Sequence, residues 1–173
     1  MKKFSSSLDQ TSVVITASVS AVGLVLGYFA LRRSGDGGVP VLLLFLGSAI
    51  VLGLLIATFL LKTNSILVDN TGITIDRTIN PVKIAFSEIK AVQTDRDGEM
   101  IGSIRTFGNG GSFGYMGSFY NKKYGRMKLY CTQRKNYVIL DKTNGKRIII
   151  SPDNPPELLK ELRSIQPSLV DAH

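Results

Sequence analysis

Two long apolar runs lead the chain, and a strand-like alternation follows them. Residues 10–31 are 22 consecutive positions without a charge, and residues 37–61 are another 25. The apolar core of the first run, VVITASVSAVGLVLGYFAL at 13–31, would make a helix of about 28 Å; the second, VPVLLLFLGSAIVLGLLIATFLL at 39–61, one of about 34 Å. A bilayer's hydrocarbon core is roughly 30 Å thick, so either run can cross it. Pro40 falls in the first turn of the second helix, where its missing N–H costs nothing. The connection RRSGDGG at 32–38 is too short to hold a domain and predicts a transmembrane hairpin. Gly23 and Gly27 form a G-x-x-x-G on the first helix. Ala49, Gly53 and Ala57 repeat small residues at the same spacing on the second, which predicts close backbone approach. The hydroxyls of Thr16, Ser18 and Ser20 are expected to bond back to helix carbonyls. The first run is too long for a signal-peptide core, lies behind SSSLDQTS, and has no A-x-A-type site before Arg32. It therefore reads as an uncleaved helix.

After residue 62 the period changes from helix to strand. Short alternating segments are expected at 65–68 and 73–77 around the turn Asp69-Asn70-Thr71-Gly72, then at 82–85 and 89–94. Others follow the hairpin signal Asp97-Gly98 at 100–107, and at 126–132, 137–141 and 146–150, the last two about the turn Lys142-Thr143-Asn144-Gly145. A helix then starts with Asn154 as N-cap, Pro155 in its first turn and Glu157 at the capping-box position, and carries Leu158, Leu159, Leu162 and Ile165 on one face. The expected organisation is α+β: an N-terminal tail at 1–12, transmembrane helices at 13–31 and 39–61, an antiparallel barrel of about seven strands with a C-terminal helix at 62–166, and a tail at 167–173.

Composition sharpens this division. The 173 residues carry a net charge of +8 and yet a mean hydropathy of +0.15, a combination foreign to a single water-soluble globule. The segment 62–173 holds 17 basic and 11 acidic residues, so six of the eight net charges lie on it. Neither apolar run contains a charged residue, which argues against a transporter. Lys2, Lys3, Lys62 and Arg77 on one side of the hairpin outnumber Arg32 and Arg33 on the other, four to two, which favours both termini in the cytoplasm. One cysteine, Cys131, and one histidine, the terminal His173, leave no disulfide, no thiolate zinc site and no cysteine–histidine pair, so no cofactor, metal or enzymatic activity is expected.

Three segments invite chemistry. The run at 108–117 has five glycines in ten residues, but lacks the Lys-Ser/Thr of a phosphate loop and breaks G-x-G-x-x-G at Phe113. It reads either as a long flexible loop whose aromatics fold back over the strands, or as a loop that contacts a partner or the bilayer through Phe113, Tyr115 and Phe119. Asp95, Asp97 and Glu99 alternate as calcium ligands could, but Thr106 stands where the bidentate acid belongs, so a solvated turn is expected. Lys122, Lys123, Arg126 and Lys128 place four bases within seven residues, either as a patch for an anionic leaflet or as a basic edge strand that resists pairing. A domain fixed a few residues from a bilayer is poorly placed for nucleic acid.

The run from Arg105-Thr106-Phe107-Gly108 through Gly117-Ser118-Phe119, with Leu129-Tyr130-Cys131-Thr132, Val138-Ile139-Leu140 and Ile149-Ile150-Ser151-Pro152, resembles the Gly/aromatic signature of the YyaB-like bacterial pleckstrin-homology (PH) family. The resemblance covers nearly all of 62–166 and implies a PH-like barrel beside membrane helices, without established enzymatic activity and without a stated ligand. Eukaryotic PH domains that grip phosphoinositides use a basic first hairpin loop, whereas Asp69-Asn70-Thr71-Gly72 carries one acid and no base. The chain thus reads as a non-enzymatic two-pass membrane protein presenting this domain for protein interaction or self-assembly, or alternatively for anionic-lipid recognition. A reporter that is active only outside the cytoplasm should be active when inserted in 32–38 and inactive when fused after 166; the reverse pattern would overturn the orientation.

Overall fold

The computed structural model describes residues 1–35, 37–95, 100 and 102–170. Asp36, the Asp97-Gly98 turn, Glu99 and His173 lie outside them. The chain opens with strand β1 (Lys2–Ser5), followed by the apolar helices α1 (Gln10–Arg32) and α2 (Val39–Leu61). Strands β2 (Thr63–Val68), β3 (Gly72–Arg77) and β4 (Val82–Ala85) then extend β1 into a four-stranded antiparallel sheet ordered β1-β2-β3-β4. A 3-10 turn at Phe86–Glu88 leads into β5 (Ile89–Thr94), β6 (Ile104–Gly111), β7 (Gly114–Asn121), β8 (Gly125–Cys131), β9 (Val138–Lys142) and β10 (Arg147–Ile150). These six form a second sheet ordered β5-β9-β10-β8-β7-β6. Helices α3 (Pro155–Ile165) and α4 (Pro167–Val170) close the chain.

The second sheet is antiparallel except between β8 and β10, which run parallel. The chain leaves β8, sets β9 one place away, and returns through a tight turn so that β10 fills the gap. Filling that gap leaves β9 and β10 buried on both faces, which is why they read as the unbroken apolar runs VIL and III. Val138, Leu140, Ile148 and Ile150 face Ile66, Val68, Ile73, Ile75 and Ile84 of the first sheet, and α3 covers this core with the fully buried Leu158 and Leu162. Each of those leucines contributes about 1.5–3 kcal/mol by leaving water. Ile139 and Ile149 point the other way, into a second core with Met127, Leu129, Cys131, Tyr115, Phe119, Tyr124 and Met100.

The α+β order of two apolar helices, a strand-rich domain and a covering helix is as the periodicity predicts. Asn154 caps α3 through its side chain as expected, accepting from the Glu157 N–H at 3.3 Å. Four features differ. The expected tail at 1–12 contains β1, held by Lys2 against Glu157 and Glu161 at 3.2 Å each. Those carboxylates, Glu161 foremost, raise the Lys2 ammonium above its ordinary pKa. The expected tail after 166 forms α4, whose Leu169 and Val170 are buried in the first core. The strands form two packed sheets, with nine strands among the described residues of 62–166 instead of about seven. Finally, the glycine run is no loop. It is a β hairpin in which β6 and β7 pair from Ile104↔Tyr120 to Gly111↔Gly114.

Glycine is required in that hairpin for close approach. Gly108 and Gly117 are cross-strand partners with φ of 115° and 126°; a Cβ on Gly117 would lie 2.2 Å from the Phe107 carbonyl oxygen, and one on Gly108 2.3 Å from that of Met116. The two apolar helices also meet through small residues, though the stripe on α2 differs from expectation. A Cβ on Gly23 would stand 2.9 Å from Val51 Cγ1, and one on Gly27 3.2 Å from Ser48 Oγ. Ser48 Oγ donates to the Gly23 carbonyl at 3.4 Å, whereas Ala49, Gly53 and Ala57 face outward. Gly117→Ala should therefore destabilise the protein by about 1–3 kcal/mol in denaturant unfolding. Gly35→Ala, where the added methyl meets open space, should change stability by less than about 0.5 kcal/mol.

Candidate functional site

The helices and the strand domain meet at the first turns of α1. Asp9 is the N-cap of that helix, accepting from the Ser12 N–H at 2.7 Å, and the same carboxylate accepts the Arg134 N–H at 3.0 Å and the Tyr115 hydroxyl at 3.3 Å. Its own N–H donates to the Thr132 carbonyl at 3.2 Å. One residue thus ends a helix, holds β7 and holds the connection after β8. Burial first, then the Asp9 charge, pushes the Tyr115 phenol up, so it stays a neutral donor at neutral pH.

The tip of the β6–β7 hairpin docks one turn further along. Ser12 Oγ donates to the Gly111 carbonyl at 2.5 Å, and the Phe113 N–H donates to Thr16 Oγ1 at 3.0 Å. The Phe113 ring meets Phe59 of α2 edge-on, centroids 5.4 Å apart, with Lys62 Nζ 4.9 Å from the Phe59 ring centre. As expected, Thr16 and Ser20 bond back to the Ser12 and Thr16 carbonyls, both at 2.8 Å.

The helix contacts fix which end of the domain is which. The 112–113 turn lies at the helices, and β7 then runs about 23 Å to its other end at Asn121. The turn holding Lys122 and Lys123 is at that far end, and the parallel pairing of β10 with β8 brings the Lys142–Lys146 turn there too. Between the β4 edge and the outward side of β8 is an open groove of about 980 Å³. Arg126 and Lys128 line it, as do Lys142, Lys146 and Arg147; Val82 and Tyr130 form its floor, and Phe107, 80% exposed, stands at its rim. Lys142 is paired with Glu88 at 2.7 Å and Arg147 with Asp141. Arg126, Lys128 and Lys146 have no carboxylate partner among the described residues.

The seven residues singled out in the sequence therefore separate. Arg126 and Lys128 line the groove together. Lys122 and Lys123 stand exposed in the far turn outside it, the latter over the Tyr124 ring. Tyr115 and Phe119 are 7% exposed and belong to the second core, so the expectation that they meet a partner or lipid is corrected. The cause is their alternation on β7, which sends both inward. Phe113 is committed to Phe59 within the chain. Asp9, Ser12 and Arg134 carry no sequence signal for this role, because a capping acid ahead of an apolar run signals only a helix start, and Lys142 and Lys146 signal only a turn.

Two β sheets with a covering C-terminal helix, joined to the chain's apolar helices, match the arrangement that the resemblance implies. A family model described as a bacterial PH domain matches residues 64–166, more than half of the chain. The chain belongs to the bacterial PH-domain family. No curated protein and no solved structure matches it significantly. In this PH domain the first hairpin loop is closed on itself: Asp69 accepts from the Thr71 N–H at 2.7 Å, the Thr71 hydroxyl at 2.6 Å and the Gly72 N–H at 3.0 Å. Those bonds, the hydroxyl's first, hold the carboxyl below its ordinary range, so a negative charge stands where phosphoinositide binders place bases. Cys131 is a core residue: burial pushes its thiol up to about 12, against an ordinary value of 9.0. A thiol kept neutral in the fold stabilises it fully below pH 9, and that contribution fades as the unfolded thiol ionises above it. At pH 8 the folded protein should react with iodoacetamide at least about a hundredfold more slowly than the unfolded chain; equal rates would contradict burial of the thiol.

Proposed function

We propose that this is a non-enzymatic two-pass membrane protein whose PH domain presents its basic groove to an acidic segment of a protein partner on the cytoplasmic side. The observation that carries the reading is the direction of β7. It sets the Lys122–Lys123 turn and the Lys142–Lys146 turn at the end away from the helices, and the groove opens between them. Arg126, Lys128 and Lys146 then provide charge not already neutralised by a neighbour, and Phe107 and Tyr130 provide apolar surface, the combination that recognises acid-rich peptide with hydrophobic anchors.

The membrane part of the reading is supported by the helices themselves. Both are 23 residues long with mean hydropathies of 2.0 and 2.8, and only 6% of each apolar window is buried, unlike a core helix of a soluble protein. Recognition of an anionic leaflet by the patch at 122–128 fits the geometry less well, because its turn is the part of β7–β8 furthest from α1. The non-enzymatic part of the reading is supported by the burial of Cys131 and by the use of Asp9 and Asp141 in structural bonds.

Crosslinking of the full-length protein in native membranes, followed by mass spectrometry, tests this. Crosslinks to one protein should map to the rim of the groove, and Arg126→Glu with Lys128→Glu should lower their yield about tenfold or more while leaving insertion unchanged. Undiminished crosslinks in that variant would count against the groove.

A further inference from the structure

A second cavity, of about 510 Å³, lies between the helices and the PH domain, and its two walls differ in kind. One wall is apolar: Val19 of α1 and Leu54, Leu55 and Leu61 of α2. Leu54 is seven residues from Leu61, so this wall extends about 10 Å down the helix. The other wall carries Arg77, from the end of β3 beside the start of β2, and Arg105 of β6, with Phe107 and Met116 between strand and helix. We propose that this cavity binds an anionic phospholipid of the cytoplasmic leaflet. Its acyl chains lie against α2, and its phosphate lies between the guanidinium groups of Arg77 and Arg105.

The occupant follows from charge and place. Neither arginine has a carboxylate partner among the described residues. Among the described residues Arg77 donates to the Asn80 carbonyl alone and stacks on Tyr130 at 5.5 Å, and Arg105 is exposed with its guanidinium folded over Gly110. Both therefore have donors free for a phosphate, which a guanidinium fork matches. The surroundings mark the water–hydrocarbon boundary: Lys62 ends α2, the Ile79 N–H donates to the Leu60 carbonyl, and Ile79, in the connection after β3, and Phe107 of β6 are exposed apolar side chains. An amphipathic cavity at that level fits a molecule with both a phosphate and hydrocarbon, and a peptide segment would leave the apolar wall facing lipid.

This inference rests on the membrane-spanning reading, and the test separates the two. The chain has no tryptophan, so Phe107→Trp gives a single reporter beside the arginines and Leu43→Trp, in a separate protein, one far along α2. Each full-length protein is placed in phosphatidylcholine nanodiscs containing brominated phosphatidylglycerol or brominated phosphatidylcholine at equal mole fraction. The Leu43→Trp reporter should be quenched equally by both lipids; if neither quenches it, the membrane reading fails first. The Phe107→Trp reporter should be quenched preferentially by phosphatidylglycerol, with the preference reduced about fivefold in Arg105→Gln and less in Arg105→Lys, which keeps the charge but not the fork. Arg77→Gln should act similarly. Should it fail to fold, the exposed Arg105 decides the matter alone. Equal quenching by the two lipids in the parent protein, or an undiminished preference in Arg105→Gln, would overturn the proposal.

Discussion

The junction between helices and domain converges on one carboxylate, behind the pairing of β1 with β2 and the bonds of Ser6 and Ser7 to Ser151 and Asp153. Asp9 begins α1 and at the same time binds the backbone after β8 and the hydroxyl of Tyr115, so the helix cannot start without fixing the PH domain against it. Hydrogen bonds to an ionised acceptor are stronger than neutral ones, and here three donors converge on a side chain that is largely sheltered from water. The hairpin tip at Gly111 and Phe113 adds contacts on the next turn of α1 and on α2. A domain attached only by the chain after Leu61 would be a tethered module free to turn. Attached at α1, at the hairpin tip and at β2, it has a fixed attitude.

Fixed attitude gives the charges their meaning. With the β6–β7 tip at the helices, the strands carry the basic turns to the opposite end, and the same strands place Arg77 and Arg105 close to the helices. The excess positive charge is thus divided between two surfaces with different neighbours: an open groove facing away from the helices and a half-apolar cavity against them. Sequence counting alone shows one basic domain. Strand direction resolves it into two adjoining sites that share Phe107.

The elements that were legible in the sequence are those whose signal is local. The apolar lengths of α1 and α2, the alternation on β3 and β8, and the Asn154 cap of α3 each depend on residues near one another, and each stands where its pattern points. What was not legible depends on pairing across long separations. Lys2–Ser5 has no strand signal of its own and becomes β1 because β2 offers an edge and Glu157 and Glu161 hold Lys2. The glycines at 108–117 look like a flexible loop because their purpose, backbone contact between Gly108 and Gly117, is visible only once β6 and β7 pair. Tyr115 and Phe119 look available for the same reason: on a loop they would be exposed, but on a strand their even spacing sends both into the core. Arg126 and Lys128 were legible because they alternate with Met127 and Leu129 on a regular strand. Their partners in the groove, Lys142 and Lys146, arrive through the parallel pairing of β10 with β8, which no local pattern encodes.

The central claim, that the PH domain is held in one attitude on its helices through Asp9, is tested most directly by a distance distribution across the junction. Spin labels at Val25→Cys on α1 and Lys122→Cys in the far turn, with Cys131→Ser, report it by pulsed electron resonance on the full-length protein in nanodiscs. A single narrow distance that broadens in Asp9→Ala is the result expected. A broad distribution already present with Asp9 in place would contradict the account.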